Sequence, residues 1–198
     1  MAQAADEPLL HEHKEFKNVD FSGKTLRDRE FFKCTFINCN FSKSDLSKNE
    51  FSNCQFEACN FTMAKIVDTG FGEVVFNNCK LMGLDFSSAS RFMFSFAFNG
   101  SQLDYAIFQS TKLKKTAFDR CSLKDADFTD ADLSQAVLKE CDLQNAQFSG
   151  TNLEKADLRT AHHYNIDPDR NKLKKTKFAN SNLAGLLLKY NLDIDFEQ

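Results

Sequence analysis

Large apolar residues recur at every fifth position through most of this chain. Phe16, Phe21, Leu26, Phe31, Phe36, Phe41, Leu46, Phe51, Phe56, Phe61, Ile66, Phe71, Phe76, Leu81 and Phe86 form one unbroken series. A second series runs Phe98, Leu103, Phe108, Leu113, Phe118, Leu123, Phe128, Leu133, Leu138, Leu143, Phe148, Leu153 and Leu158, and Leu173, Phe178 and Leu183 keep its phase. Two residues before each centre from Leu103 to Leu158 stands a small residue, as in Ala126, Ala131, Ala136, Cys141 and Ala146. The other three positions of each unit are mostly polar. A period of five matches neither an α-helix, at about 3.6, nor a strand, at about 2.0, so it predicts a tertiary repeat.

Two inward positions in five, one large and one small, fit a chain that turns a corner after every unit. Four corners close a square coil of four units. Stacked coils would pair their backbones as narrow parallel ladders about 4.8 Å apart, with the large side chains filling the axis. Closing the coil also satisfies the backbone groups that a free sheet edge leaves open. The sequence carries an internal test of that coil length. Leu26, Leu46 and Ile66, the non-Phe centres of their stretch, are spaced by four units each. So are Cys34 and Cys54, the trio Cys39, Cys59 and Cys79, and Cys121 and Cys141.

Units such as Ala131-Asp132-Leu133-Ser134-Gln135 and Ala156-Asp157-Leu158-Arg159-Thr160 resemble the A(D/N)LXX consensus of the pentapeptide-repeat family. The resemblance covers about residues 16–160 and again 173–183. It implies an all-β solenoid, a right-handed quadrilateral β-helix. The two long series hold 28 units, or seven coils, a rod on the order of 35 Å long at the ladder spacing. The expected organisation is an N-terminal cap over 1–15, a repeat tract over 16–183, and a C-terminal cap or dimerisation segment over 184–198.

Composition narrows the picture. The net charge is −3, from 25 basic and 28 acidic residues, which gives no basic footprint for binding nucleic acid. No apolar run is long enough to span a bilayer. The N-terminal residues lack the basic and apolar regions of a secretory signal, so a cytoplasmic location is expected. With 7 Gly and 2 Pro, the corners must be made by Ser, Asn, Asp and Lys, whose side chains can bond nearby backbone. All seven cysteines occupy the small inward position, which predicts inert buried thiols.

Motifs that suggest chemistry fail on inspection. Asp167-Pro168-Asp169-Arg170-Asn171 opens like a calcium loop, but Lys172 stands where Gly is needed and Phe178 where Glu is needed. His11 and His13, and His162 and His163, lack sequence neighbours at metal-ligand spacing, so no metal or cofactor is assigned. Asn40, Asn60 and Asn99 match a glycosylation pattern only as by-products of the repeat. No nucleophile and base stand together, and a filled rod offers no catalytic cleft; no catalytic residue is assigned.

The interruptions are more informative. In phase, Arg91 would follow Phe31, Phe51 and Phe71 into the core, where an unpaired charge is very costly. The segment 90–97, within the phase break at 87–97, is therefore expected to bulge outward. Either it is a local accommodation that tucks its rings onto the rod, or it is a contact site, which makes Arg91, Phe92 and Phe94 candidate partner contacts. Asp125, Asp127, Asp130 and Asp132 form a second candidate surface, an acidic stripe. The other interruption spans 162–171. Beyond it, Leu183, Leu186, Leu187 and Tyr190 have helical spacing, while Leu192, Ile194 and Phe196 alternate like a strand. This predicts a short helix and an extended tail, with Leu186, Leu187, Tyr190, Leu192, Ile194 and Phe196 as the candidate interface of a homodimer.

The run Tyr164-Asn165-Ile166-Asp167-Pro168, then Lys172-Leu173-Lys174-Lys175-Thr176-Lys177-Phe178 and the Leu-rich tail, resembles the end of Qnr-type and albicidin-resistance proteins. That resemblance implies a non-catalytic mimic of duplex DNA, dimeric through its C-terminal end, which protects DNA gyrase and topoisomerase IV from inhibitors such as quinolones. The alternative is a cytosolic scaffold for an unrelated protein.

Overall fold

In a computed structural model, described for residues 9–193, the chain forms a parallel, four-sided β-solenoid of about seven turns. Its strands are short: β1 (Leu9–Glu12), β2 (Glu15–Lys17), β3 (Arg29–Phe32), β4 (Thr35–Ile37), β5 (Glu50–Ser52), β6 (Gln55–Glu57), β7 (Gly70–Asn77), β8 (Phe94–Asn99), β9 (Ala117–Asp119) and β10 (Val137–Lys139). The register repeats every four units on both sides of the first interruption, with Phe16 opposite Phe36 and Phe36 opposite Phe56, then Phe118 opposite Leu138. The cysteine and Leu/Ile spacings had the coil length right.

Four walls follow from that register. Wall one is centred on Phe16, Phe36, Phe56, Phe76, Phe98, Phe118, Leu138 and Leu158. Wall two carries Phe21, Phe41, Phe61, Leu81, Leu103, Leu123 and Leu143. Wall three carries Leu26, Leu46, Ile66, Phe86, Phe108, Phe128 and Phe148. Wall four carries Phe31, Phe51, Phe71, Leu113, Leu133 and Leu153. From Phe36 to Leu158 these centres are buried. Rings one rung apart lie nearly parallel, Phe36 on Phe56 at 4.7 Å and Phe108 on Phe128 at 5.1 Å, while rings on neighbouring walls meet edge to face. Each buried ring contributes roughly 1.5–3 kcal/mol through its area, and favourable ring pairs about 0.5–1.5 kcal/mol more.

The corners are left-handed. The residue two after nearly every centre has positive φ, as at Asn38, Lys43, Lys48, Asn53, Ala58 and Met63; Ser88 and Thr160 are exceptions. Lys, Ala, Met and Glu share this position with Asn and Gly, a wider set than composition suggested. Such a residue costs roughly 1–2 kcal/mol outside glycine. What holds it is the ladder: the Asn38 and Ala58 amides each donate to a carbonyl of the next coil at 2.9 Å. At Gly150 (φ 69) the choice is narrower, because a Cβ would collide with an Asp130 carboxylate oxygen.

The small inward position does more than save space. All seven cysteines are reduced and buried, and their thiols donate to carbonyls one coil back, as Cys54 Sγ does to Phe31 O at 3.3 Å. Thr69 and Thr151 make the same bond with hydroxyls at 2.8 Å. Burial pushes the Cys54 thiol up to about 11.

At the N-terminal end, His11 pairs with Phe31 across β1 and β3 and stacks on its ring at 4.9 Å, closing wall four. At the C-terminal end, the expected short helix is 3-10 rather than α, in two pieces at Asn180–Leu186 and Leu188–Tyr190. There Gly185 backs so closely onto Tyr164 that a Cβ would not fit.

Candidate functional site

The first interruption is mostly tucked onto the rod. The coil that contains it is longer than the others by two, since Phe76 pairs with Phe98. A register shift between Phe71 and Val74 takes up the mismatch. Only the turn before Met93 projects, with Arg91 exposed and Phe92 fully exposed. Phe94 is half buried and Phe96 is buried, its ring 5.2 Å from Phe71 and 5.3 Å from Phe86. Phe94 is thus the ladder partner of Phe71 on wall four, while Phe96, opposite Val74, turns its ring into the core between Phe71 and Phe86. The apolar alternation from Phe92 to Phe98 was the signal; burying three of its four rings outweighs looping them into water. A cavity of about 40 Å³ remains beside the turn, lined by Phe86, Ala89, Arg91, Phe94, Thr111 and Lys112.

The four carboxylates of the expected stripe fall at two successive corners of one coil. Asp125 and Asp127 lie between walls two and three, Asp130 and Asp132 between walls three and four. Asp127 accepts from the Thr129 amide at 2.8 Å, and Asp132 from the Ser134 amide at 3.0 Å and the Asn152 side chain at 3.0 Å. Two of the four therefore stabilise their own corners. Their rung neighbours break the stripe: Ile107 and Gln147 flank Asp127, and Lys112 and Asn152 flank Asp132.

The second interruption keeps its register. Asp157 pairs with Lys177 and Asn152 with Lys172, still one regular coil apart. The side chains change instead. Tyr164 and Ile166 are buried in place of regular centres. Burial raises the Tyr164 phenol above its usual value, and its hydroxyl has no hydrogen-bond partner among the described residues. Asn171 reaches the Phe148 carbonyl at 3.1 Å, doing at this corner what Thr151 does one coil earlier. Lys189 folds back onto Asp167 at 2.6 Å and onto Asp169, pinning the last turn to the interruption.

The tail presents Leu183, Leu187, Leu188, Tyr190 and Leu192 to solvent, whereas Leu186 packs partly onto the core. Ile194 and Phe196 lie outside the described residues. The histidine pair is not without partners, as the sequence spacing implied. Asp142 stands one rung below His162, and the His163 Nδ1 lies 2.9 Å from Asp142 Oδ1. The coil period was the signal that places Asp142 there. No helix among the described residues is long and apolar enough to cross a membrane.

Comparison with known proteins supports the same fold. The pentapeptide repeat region family matches residues 12–86, 29–108, 69–148 and 101–191. The chain is similar to a trypsin-treated form of QnrB1, a plasmid-mediated fluoroquinolone resistance protein, at 21% identity over 96% of this chain and 100% of that one, with a TM-score of 0.65. A second trypsin-treated QnrB1 variant gives 21% identity, 94% and 100% coverage and a TM-score of 0.62. HetL, a pentapeptide repeat protein involved in heterocyst differentiation regulation from the cyanobacterium Nostoc sp. strain PCC 7120, gives 16% identity, 92% and 90% coverage and a TM-score of 0.48. No curated protein sequence matches the chain.

Proposed function

The chain belongs to the pentapeptide repeat family, and from that premise we propose that it is a non-catalytic rod that binds DNA gyrase or topoisomerase IV and protects them from inhibitors such as quinolones. The observation that carries the reading is the filled axis. With every regular centre from Phe36 to Leu158 buried, the means of action left are the outline of the rod and the chemistry of its walls. The fluoroquinolone resistance protein QnrB1 has the same fold over its whole length in the matched form, and the Tyr164–Phe178 run resembles the end of that branch.

Shape does more of the work in this reading than charge. Asp127 and Asp132 alternate with neutral and basic rungs, so the acidic field is far weaker than that of a duplex, which carries one charge per about 1.7 Å. The contacts we assign to the partner are Arg91, Phe92 and the half-buried Phe94 at the first interruption, with Asp125 and Asp130 two coils above. A homodimer forms through the exposed Leu187, Tyr190 and Leu192 at the C-terminal end. The same lack of an acidic stripe favours a second reading, a scaffold for an unrelated protein partner in the cytoplasm.

A gyrase supercoiling assay with a fluoroquinolone separates the two. Titrating the full chain should restore supercoiling at fixed drug. No rescue and no binding to gyrase at any concentration would overturn the first reading in favour of the second.

A further inference from the structure

We propose that Asp142, His162 and His163 form a binding site for a divalent transition-metal ion of the zinc, nickel or copper kind. The coil period builds the site. Asp142 and His162 are bridge partners on successive coils, so their side chains leave the rod one ladder step apart. His163 follows at the place that the centre Leu143 holds one coil back, and its left-handed conformation, φ 58, turns its ring out over the lower coil. Its Nδ1 reaches Asp142 Oδ1 at 2.9 Å, and the two imidazoles meet edge to face at 4.7 Å. One ligand atom from each of the three residues lies within 4.8 Å of the other two.

Ligand atoms around a tetrahedral ion with bonds of about 2.1 Å stand roughly 3.4 Å apart. Closing onto a metal therefore needs a contraction of less than one bond length. His163 can supply it, because its side chain is 62% exposed. Asp142 is held ready. Its Oδ1 accepts from the Gln144 amide at 3.2 Å, and its Oδ2 pairs with Lys124 at 3.2 Å. Second partners of this sort fix the orientation of a ligating carboxylate. Lys124 is 43% exposed and can swing into water when a cation arrives.

Two imidazoles and one carboxylate suit zinc, nickel or copper, and not calcium or magnesium, which take oxygen ligands. Three protein ligands leave at least one coordination position open to water or to a ligand from a partner. An ion here would tie two successive coils together at the last regular rung of wall two, just where the chain enters the interruption. Binding to the folded chain alone raises its stability by mass action.

The test is calorimetric titration of the tag-free full-length chain with zinc chloride, and separately with magnesium chloride. One zinc per chain should bind saturably, raise the thermal midpoint, and be unmatched by magnesium. Asp142→Asn keeps the acceptor for the Gln144 amide, and His163→Asn suits a left-handed conformation, so both preserve the backbone while removing a ligand. Each should weaken zinc at least tenfold and abolish the rise in midpoint. No saturable zinc binding would overturn the proposal, leaving His163 and Asp142 as an ion pair only. Equal affinity in both variants would overturn it too. Cobalt absorption of the unaltered chain provides a check that needs no variant: a thiolate charge-transfer band would place the metal on the cysteines and sink the assignment.

Discussion

At 87–97 the chain carries two residues too many for its coil; at 162–171 it carries the right number of residues but the wrong side chains. The first problem is solved inside the core. β7 and β8 shift register, one turn is pushed out with Arg91 and Phe92, Phe94 takes the place opposite Phe71, and Phe96 turns its ring into the core. The second is solved at the surface of the last coil. Register holds, Tyr164 and Ile166 stand in for regular centres, and a 3-10 segment folded back by Lys189 covers them. A misfit in length is thus absorbed by packing, and a misfit in composition by local polar ties. The two regions should respond to different perturbations.

The largest effect is expected at the first. Phe96→Ala removes a ring packed between Phe71 and Phe86 and should destabilise the rod by about 3–5 kcal/mol, as buried Phe truncations do. Phe92→Ala, on the same segment but fully exposed, should stay within about 0.5 kcal/mol. Denaturant midpoints of the two variants measure the difference. Equal effects would mean that the register shift, and not Phe96, holds the interruption together.

That contrast also marks where the sequence was readable. The five-residue rhythm and the four-unit column spacings delivered the coil, the walls and the role of each cysteine, because each depends only on period. The fate of Phe92, Phe94 and Phe96 depends on which ring a two-residue slip brings over Phe71, and no periodicity says that. The acidic cluster was visible as composition, yet its division between two corners emerges only when Asp127 and Asp132 are placed beside Ile107 and Lys112. The partner of His163 was legible in principle, one coil back from His162, but local spacing hid it. The approach of Gly185 to Tyr164 is a tertiary contact with no local signature.

Gly185→Ala probes the second interruption with a smaller expected effect. A Cβ there would collide with the Tyr164 carbonyl oxygen and lie 2.6 Å from its ring. The cap must move away, and the bond from the Ile166 amide to the Gly185 carbonyl, 2.9 Å, must lengthen or break. A cost of about 1–3 kcal/mol is expected, as for overpacking elsewhere. It should appear as lost amide protection at Ile166, Leu187 and Tyr190, with the Asn78 and Gly100 amides unmoved. Equal losses across both sets would show that the cap and the rod unfold as one unit, and the comparison between the two interruptions would fail.

The smallest effect, and the one most specific to the second interruption, is electrostatic. The Asp167 carboxyl lies below its usual range because Lys189 donates to it and the Asp169 amide bonds to it as well. A carboxyl depressed in the folded state contributes stability that is present above its unfolded value, about 3.9, and lost as pH falls through the folded one. Acid should therefore loosen the turn that Lys189 pins before it opens the ladder at Phe98, whose contacts are apolar. Asp45, Asp142 and Asp157 are depressed too, so acid alone would also weaken the rod. Asp167→Asn at neutral pH isolates the cap. It removes the charge, retains an acceptor for the Asp169 amide, and should lower protection at Leu187 and Tyr190 by a factor below about ten, the range of exposed ion pairs. Unchanged protection at both amides would mean that the Asp167 charge does not pin the cap, which would then rest on the Asp169 pair and on the packing of Tyr164 and Leu186.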